Sequence, residues 1–133
     1  MLVVAAPGFA FEIAGSVDKI ADGDTFWVCD ANACHKIRLC GVKAPEQGES
    51  GYFESAYGLS KLVAGKKVTC IRVGGGTPCD GRSKAISFDR IVAQCFLDGG
   101  DVAITLFQQD LVCDWVKHSG GHYSKGDPTR VCH

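Results

Sequence analysis

A chain of 133 residues with 46% hydrophobic and 22% charged residues suits one folded domain and excludes disorder over its whole length. A net charge of −1 excludes a uniformly basic surface, so any contact with nucleic acid must come from a local patch. Eight cysteines without a C-x₂-C pair argue against a zinc cage and for disulfides made in an oxidising compartment, secreted or periplasmic.

Residues 1–10 read like the end of a secretory leader: apolar, turning at Pro7-Gly8, with small Gly8 and Ala10 before Phe11. No other run approaches the roughly 18 apolar residues of a membrane helix, so no membrane span is expected. Residues 11–17 alternate as a strand does, 25–29 are rich in β-formers, and 36–40 alternate again. With the polar connector at 30–33, these predict a three-stranded meander. Residues 41–51 read as a loop. Phe53, Ala56, Leu59 and Leu62-Val63 then recur at helical spacing, predicting a helix over 52–63 with Gly65 as its stop. A strand at 67–73, a Gly-rich loop at 74–78 and a strand at 91–96 follow. Asp98-Gly99-Gly100 turns the chain, and Asp101 reads as the N-cap of a short helix through 109. Residues 112–116 read as extended and 119–133 as a loosely held tail. The order predicts an α+β, mainly β, fold: a five-stranded Greek-key barrel of the oligonucleotide-binding type with two or three short helices, over 11–118.

Three short constellations carry chemistry. Asp22-Gly23-Asp24-Thr25 places two carboxylates either side of a glycine, where they either bind a hard cation or simply make a turn. Arg38 lies inside the apolar strand segment Ile37-Arg38-Leu39; it either seeks a carboxylate or phosphate partner or faces solvent. Glu46 follows Pro45 in a loop, a place for a positioned base. Arg90 borders the apolar strand at Ile91-Val92-Ala93, free for an anion or paired with its neighbour Asp89. The histidines, His35, His118, His122 and His133, suggest no metal cluster, and no cysteine reads as catalytic.

In this order the Asp22-Gly23-Asp24-Thr25 turn, Ile37-Arg38-Leu39 with Ala44-Pro45-Glu46, and Arg90 with Val92-Ala93 resemble the staphylococcal nuclease (thermonuclease-like) family. The later Asp101 helix and the segment 111–115 match the family's closing elements, so the resemblance covers about residues 11–118. It implies a secreted or periplasmic enzyme hydrolysing phosphodiester bonds of single-stranded DNA or RNA with Ca²⁺, without an obligate protein partner. Arg38 and Arg90 would grip the phosphate, Glu46 would be the general base, Asp24 a calcium ligand and Asp22 a nearby carboxylate. The chain departs from the family at Lys43, where a calcium-ligating aspartate is common, and at Asp89, where glycine is usual. An inward Lys43 would repel a divalent ion by several kcal/mol, on the order expected at an effective dielectric near 20. Lys43 then either turns outward or sets its ammonium beside the phosphate. Phe88 stands where a tyrosine is frequent and can still stack on a base. Lys43, Asp89 and the near-neutral charge leave an alternative, a weakly active or inactive binding module, and the names of some bacterial relatives of this type, tied to exopolysaccharide production, imply a non-nuclease role for it. On the family's topology the cysteines are expected to pair as Cys29–Cys34, Cys40–Cys113, Cys70–Cys95 and Cys79–Cys132.

Overall fold

The computed structural model describes residues 11–133, and the leader-like residues 1–10 lie outside the described residues. The meander forms as the alternation predicts, from β1 (Glu12–Asp22), β2 (Thr25–Cys29) and β3 (Cys34–Leu39). β1 runs further than its alternation suggested because it serves two neighbours. Its register with β2 shifts between Val17 and Lys19 and again between Ile20 and Asp22. Such irregularities bend and twist a strand, and they let one long β1 curl from one partner to the next.

The chain continues through β4 (Val42–Lys43) and helix α1 (Tyr52–Val63), which buries Ser55, Leu59 and Val63. Gly65, at φ +74°, turns the chain out of the helix, and its amide donates to the Val17 carbonyl at 2.9 Å. β5 (Lys67–Arg72) follows, then β6 (Ile86–Ser87), β7 (Arg90–Leu97) and β8 (Gly100–Asp101). The Asp101 side chain accepts from the Ala103 amide at 2.9 Å and caps α2 (Val102–Gln108), as its position in the sequence suggests. β9 (Cys113–Asp114), the short helix α3 (Val116–Ser119) and a 3-10 turn at Pro128–Arg130 follow.

Strands β3, β2, β1, β5 and β7 are hydrogen-bonded in that order, and β3 then pairs in parallel with β7, Ile37 opposite Ile91 and Leu39 opposite Ala93. The sheet closes on itself as the expected five-stranded barrel of α+β, mainly β, class. Closure removes the exposed edges that an open sheet would offer. Phe26, Ile37, Leu39, Leu59 and Leu106 are fully buried in it, each worth about 1.5–3 kcal/mol on transfer from water. Among the described residues no helix is long and apolar enough to cross a membrane.

All eight cysteines are paired, as Cys29–Cys34, Cys40–Cys79, Cys70–Cys95 and Cys113–Cys132. Two of these are the expected bridges: one across the β2–β3 hairpin and one between directly opposed β5 and β7 residues. The other two correct the expected Cys40–Cys113 and Cys79–Cys132 pairs. The loop after β5 folds back over the end of β3 and buries Cys79 against Cys40. It is held in that shape by Asp80, which accepts from the Gly74 amide, the Gly76 amide and the Thr77 hydroxyl at 2.7–2.8 Å. Cys113 faces the C-terminal segment, whose Cys132 amide donates to the Asp114 carbonyl at 2.9 Å.

That C-terminal segment is not loose. The fully buried Asp114 carboxylate accepts from the Ser119 hydroxyl, from the Ser124 amide at 2.8 Å and from the Ser124 hydroxyl at 2.6 Å. The buried Tyr123 hydroxyl donates to Asp101 at 2.9 Å. Arg130 lies over the Phe107 ring at 4.1 Å and reaches Asp110 at 3.0 Å. A buried carboxylate that finds several donors repays its desolvation, and here the donors come from residues that composition alone marks as linker.

Candidate active site

The site grows from the turn between β1 and β2. Gly23 is required there by close approach, because a Cβ at this position would collide with the Ser55 hydroxyl of α1. The turn therefore rests on the helix and points Asp22 and Asp24 to one side. Asp24 is buried, and both its oxygens are engaged. Oδ1 accepts from the Thr25 hydroxyl at 2.9 Å and lies 3.4 Å from Arg38 Nε, while Oδ2 accepts from the Ala44 amide at 2.9 Å. One carboxylate thus ties the turn, the arginine of β3 and the start of the loop that carries Glu46.

Arg38 is 8% exposed. Its Nη1 donates to the carbonyls of Leu39 and, at 2.8 Å, Val42. Nη2 has no hydrogen bond to the protein among the described residues, so a rigid guanidinium keeps one donor group in hand. Burial pulls its pKa below the usual arginine value; the Asp24 carboxylate opposes that pull and Arg90 adds to it. Arg90 opens β7 and leans across the barrel mouth: Nη2 donates to the Ser87 hydroxyl at 3.1 Å and Nη1 to the Thr25 hydroxyl at 3.5 Å. The possible Arg90–Asp89 pair is not formed. Asp89 is exposed and lies 3.5 Å from Lys36 instead.

All seven residues singled out in the sequence, Asp22, Asp24, Arg38, Lys43, Glu46, Phe88 and Arg90, line a single cavity of about 700 Å³. Sequence reasoning missed Trp115, Lys117 and His118, which wall the same cavity from α3 and the residue before it, and Arg82 and Lys84 from the loop after β5. The run Trp115-Val116-Lys117-His118, an aromatic among basic side chains, was the available signal. The Lys43 ammonium lies 5.4 Å from the centre of the Trp115 ring, and the Arg38 guanidinium 5.9 Å from it. His118 Nδ1 is 2.8 Å from the Ser83 hydroxyl, and its ring meets Trp115 edge to face at 4.4 Å. Burial holds the His118 pKa below the usual value, with Lys117 and Arg38 adding to the effect and a bond to the Arg82 backbone opposing it.

Six cationic side chains (Arg38, Lys43, Arg82, Lys84, Arg90 and Lys117) face three carboxylates (Asp22, Asp24 and Glu46) around this cavity. The chain as a whole carries −1, so positive charge is concentrated here. The negative side is weaker still, because burial and then the Asp24 charge push the Asp22 carboxyl above the usual range. A cavity of this kind attracts anions.

The same residues fit a calcium ion poorly. Ca²⁺ takes about six to eight oxygen ligands. Among the described residues no three acidic, histidine or cysteine side chains gather as a cage. Asp24 is committed to Thr25, Arg38 and Ala44, and Lys43 Nζ stands 4.0 Å from Glu46 Oε1.

No family model matches this chain. It is similar to a protein of Escherichia coli O157:H7 and one of Escherichia coli, each named an uncharacterized endonuclease, with 35% identity over 69 residues. The matched stretch is 52% of this chain and 45% of each relative, so the chain spans about half the length of the curated relatives it matches.

Proposed function

We propose that the cavity is the active site of an exported phosphodiesterase that hydrolyses DNA or RNA, of the staphylococcal nuclease type. The observation that carries this reading is the pair Arg38 and Arg90 at one mouth of a closed barrel, inside a cavity where six cations face three carboxylates. The resemblance to proteins named endonuclease supports it, and four disulfides support export.

The chemistry follows from the residues. Phosphoryl transfer asks the protein to hold the phosphate in line and to neutralise its oxygens as the nucleophile enters. A guanidinium supplies forked donors matched to those oxygens, which an ammonium does not. Glu46 is assigned the role of base. Its backbone is pinned, since its amide donates to Glu49 Oε1 at 2.6 Å and its carbonyl accepts from the Glu49 amide at 2.8 Å, while its side chain is largely exposed. Glu46 takes a proton from water, the water oxygen bonds to phosphorus, the ester P–O bond breaks, and the leaving oxygen takes a proton from solvent. Phe88 stands 92% exposed at the rim, where a nucleobase can stack on it. Its φ of +57° is rare for an aromatic residue. Such strain gathers at functional positions.

A second reading, a catalytically silent binding module, is favoured by the Lys43–Glu46 contact at 4.0 Å, which engages the base. One experiment separates them: cleavage of fluorescent single-stranded DNA and RNA by the wild type and by Glu46→Gln. The enzyme reading expects cleavage that falls about 10²–10⁴-fold in the variant, the usual contribution of a general base. Tight binding with no cleavage by either protein would establish the binding module instead.

A further inference from the structure

We propose that this cavity takes and cleaves its phosphodiester without a divalent cation, the Lys43 ammonium supplying beside Glu46 the positive charge that a metal ion would bring. The inference rests on the phosphodiesterase reading and deepens it.

Three observations carry it independently of one another. The first is the state of Asp24. Thr25 and Arg38 fill one oxygen and the Ala44 amide takes one site on the other, so a cation could reach Asp24 only through the remaining site of Oδ2 and would compete with Arg38 for its single charge. Arg38 is nearly as buried as Asp24, and a buried arginine stripped of its partner is strongly disfavoured. The second is the place of Lys43. It sits on the short strand β4, pinned by pairing with β9 opposite Cys113, and its ammonium is steadied between the Trp115 face and Glu46 at 5.4 and 4.0 Å. A dication near Glu46 would meet this ammonium at contact range. The third is the charge already present. Phosphate carries a single negative charge per diester, and the surplus of cations over carboxylates around the cavity is enough to neutralise it and the charge that develops as the nucleophile enters. Adding a dication raises a positive potential that needs no raising.

The experiment measures binding and cleavage side by side. Binding of a fluorescein-labelled thymidine oligonucleotide to Glu46→Gln is followed by anisotropy in chelator and in calcium at matched ionic strength, then repeated with Lys43→Met and Lys43→Asp added. Calcium alone is titrated into the wild-type protein by calorimetry. The expected result is an affinity that calcium changes by less than about twofold, no heat from calcium, and cleavage by the wild type that persists in chelator. Lys43→Met should weaken binding roughly tenfold, the loss of one close charge contact. Lys43→Asp should weaken it in chelator and regain part of it with calcium. Binding or cleavage that appears only with calcium would overturn the inference and leave the phosphodiesterase reading standing. An oligonucleotide neither bound nor cleaved under either condition would overturn both.

Discussion

Replacing Asp24 by asparagine tests whether this carboxylate anchors Arg38 or waits for a cation. The side chains of both residues are about nine-tenths buried, and Nε lies 3.4 Å from Oδ1. Removing one partner of a buried ion pair leaves a charge uncompensated and costs about 3–5 kcal/mol. With the amide oxygen turned to the Ala44 amide, the new NH2 group can donate to the Thr25 hydroxyl, so the loss is chiefly the counter-charge of Arg38. A few degrees per kcal/mol for a domain of this size puts the expected drop in Tm at roughly 10–20 °C. The assay is thermal and urea unfolding with the disulfides intact. Replacing both partners, as Asp24→Asn with Arg38→Met, should cost less than Asp24→Asn alone, because no orphaned charge remains. An Asp24→Asn protein within about 1 kcal/mol of the wild type would rule out Asp24 as the counter-charge of Arg38. Such a protein would mean that Asp24 spends its charge on something other than Arg38.

Asp22→Asn should stabilise the fold at neutral pH, since burial and Asp24 raise the Asp22 pKa and disfavour its charged form; unfolding at pH 7 reads this, and a lower stability would contradict it. Phe88→Gly should stabilise the β6–β7 turn by about 1 kcal/mol, the relief of a positive φ, while weakening oligonucleotide binding by about 1–3 kcal/mol if a base stacks there; unchanged affinity would remove Phe88 from the site. The folded pKa of His118 is depressed, so the stability it contributes is fully present above its unfolded value near 6.5 and is lost as pH falls through the folded value. Unfolding measured below pH 6.5 should therefore show a decline that His118→Gln reduces, and an identical decline in the variant would count against it.

The elements whose stabilising contacts are local were legible in the sequence. The apolar spacing of Leu59 and Val63 announces the inner face of α1, and Asp101 announces the N-terminus of α2, because each interaction spans only a few residues. Five of the candidate residues were legible through short motifs and Lys43 and Phe88 through the family resemblance those motifs carry, and barrel closure by β3 and β7 brings Arg38 and Arg90 to the same mouth. What could not be read depends on distant partners. Cys40 meets Cys79 only because Asp80 shapes the loop between them. The segment after Ser119 looks like a linker until the buried carboxylate of Asp114 gives Ser119 and Ser124 a partner. Trp115, Lys117 and His118 reach the cavity because the Trp115 amide is pinned to the Gly41 carbonyl at 2.8 Å, a contact no local pattern encodes.

On the proposed function, this cluster of cations serves a phosphodiester in its transition state. Single-turnover cleavage of a labelled oligonucleotide by the wild type and by Arg90→Lys tests it most directly. Arg90 is only partly buried and binds through Ser87 and Thr25, so a lysine keeps the charge and loses the fork. The expected rate for Arg90→Lys is about 10³-fold lower or worse, by analogy with arginine fingers, with oligonucleotide affinity little changed. Equal rates for the two proteins, or no cleavage by the wild type, would contradict it.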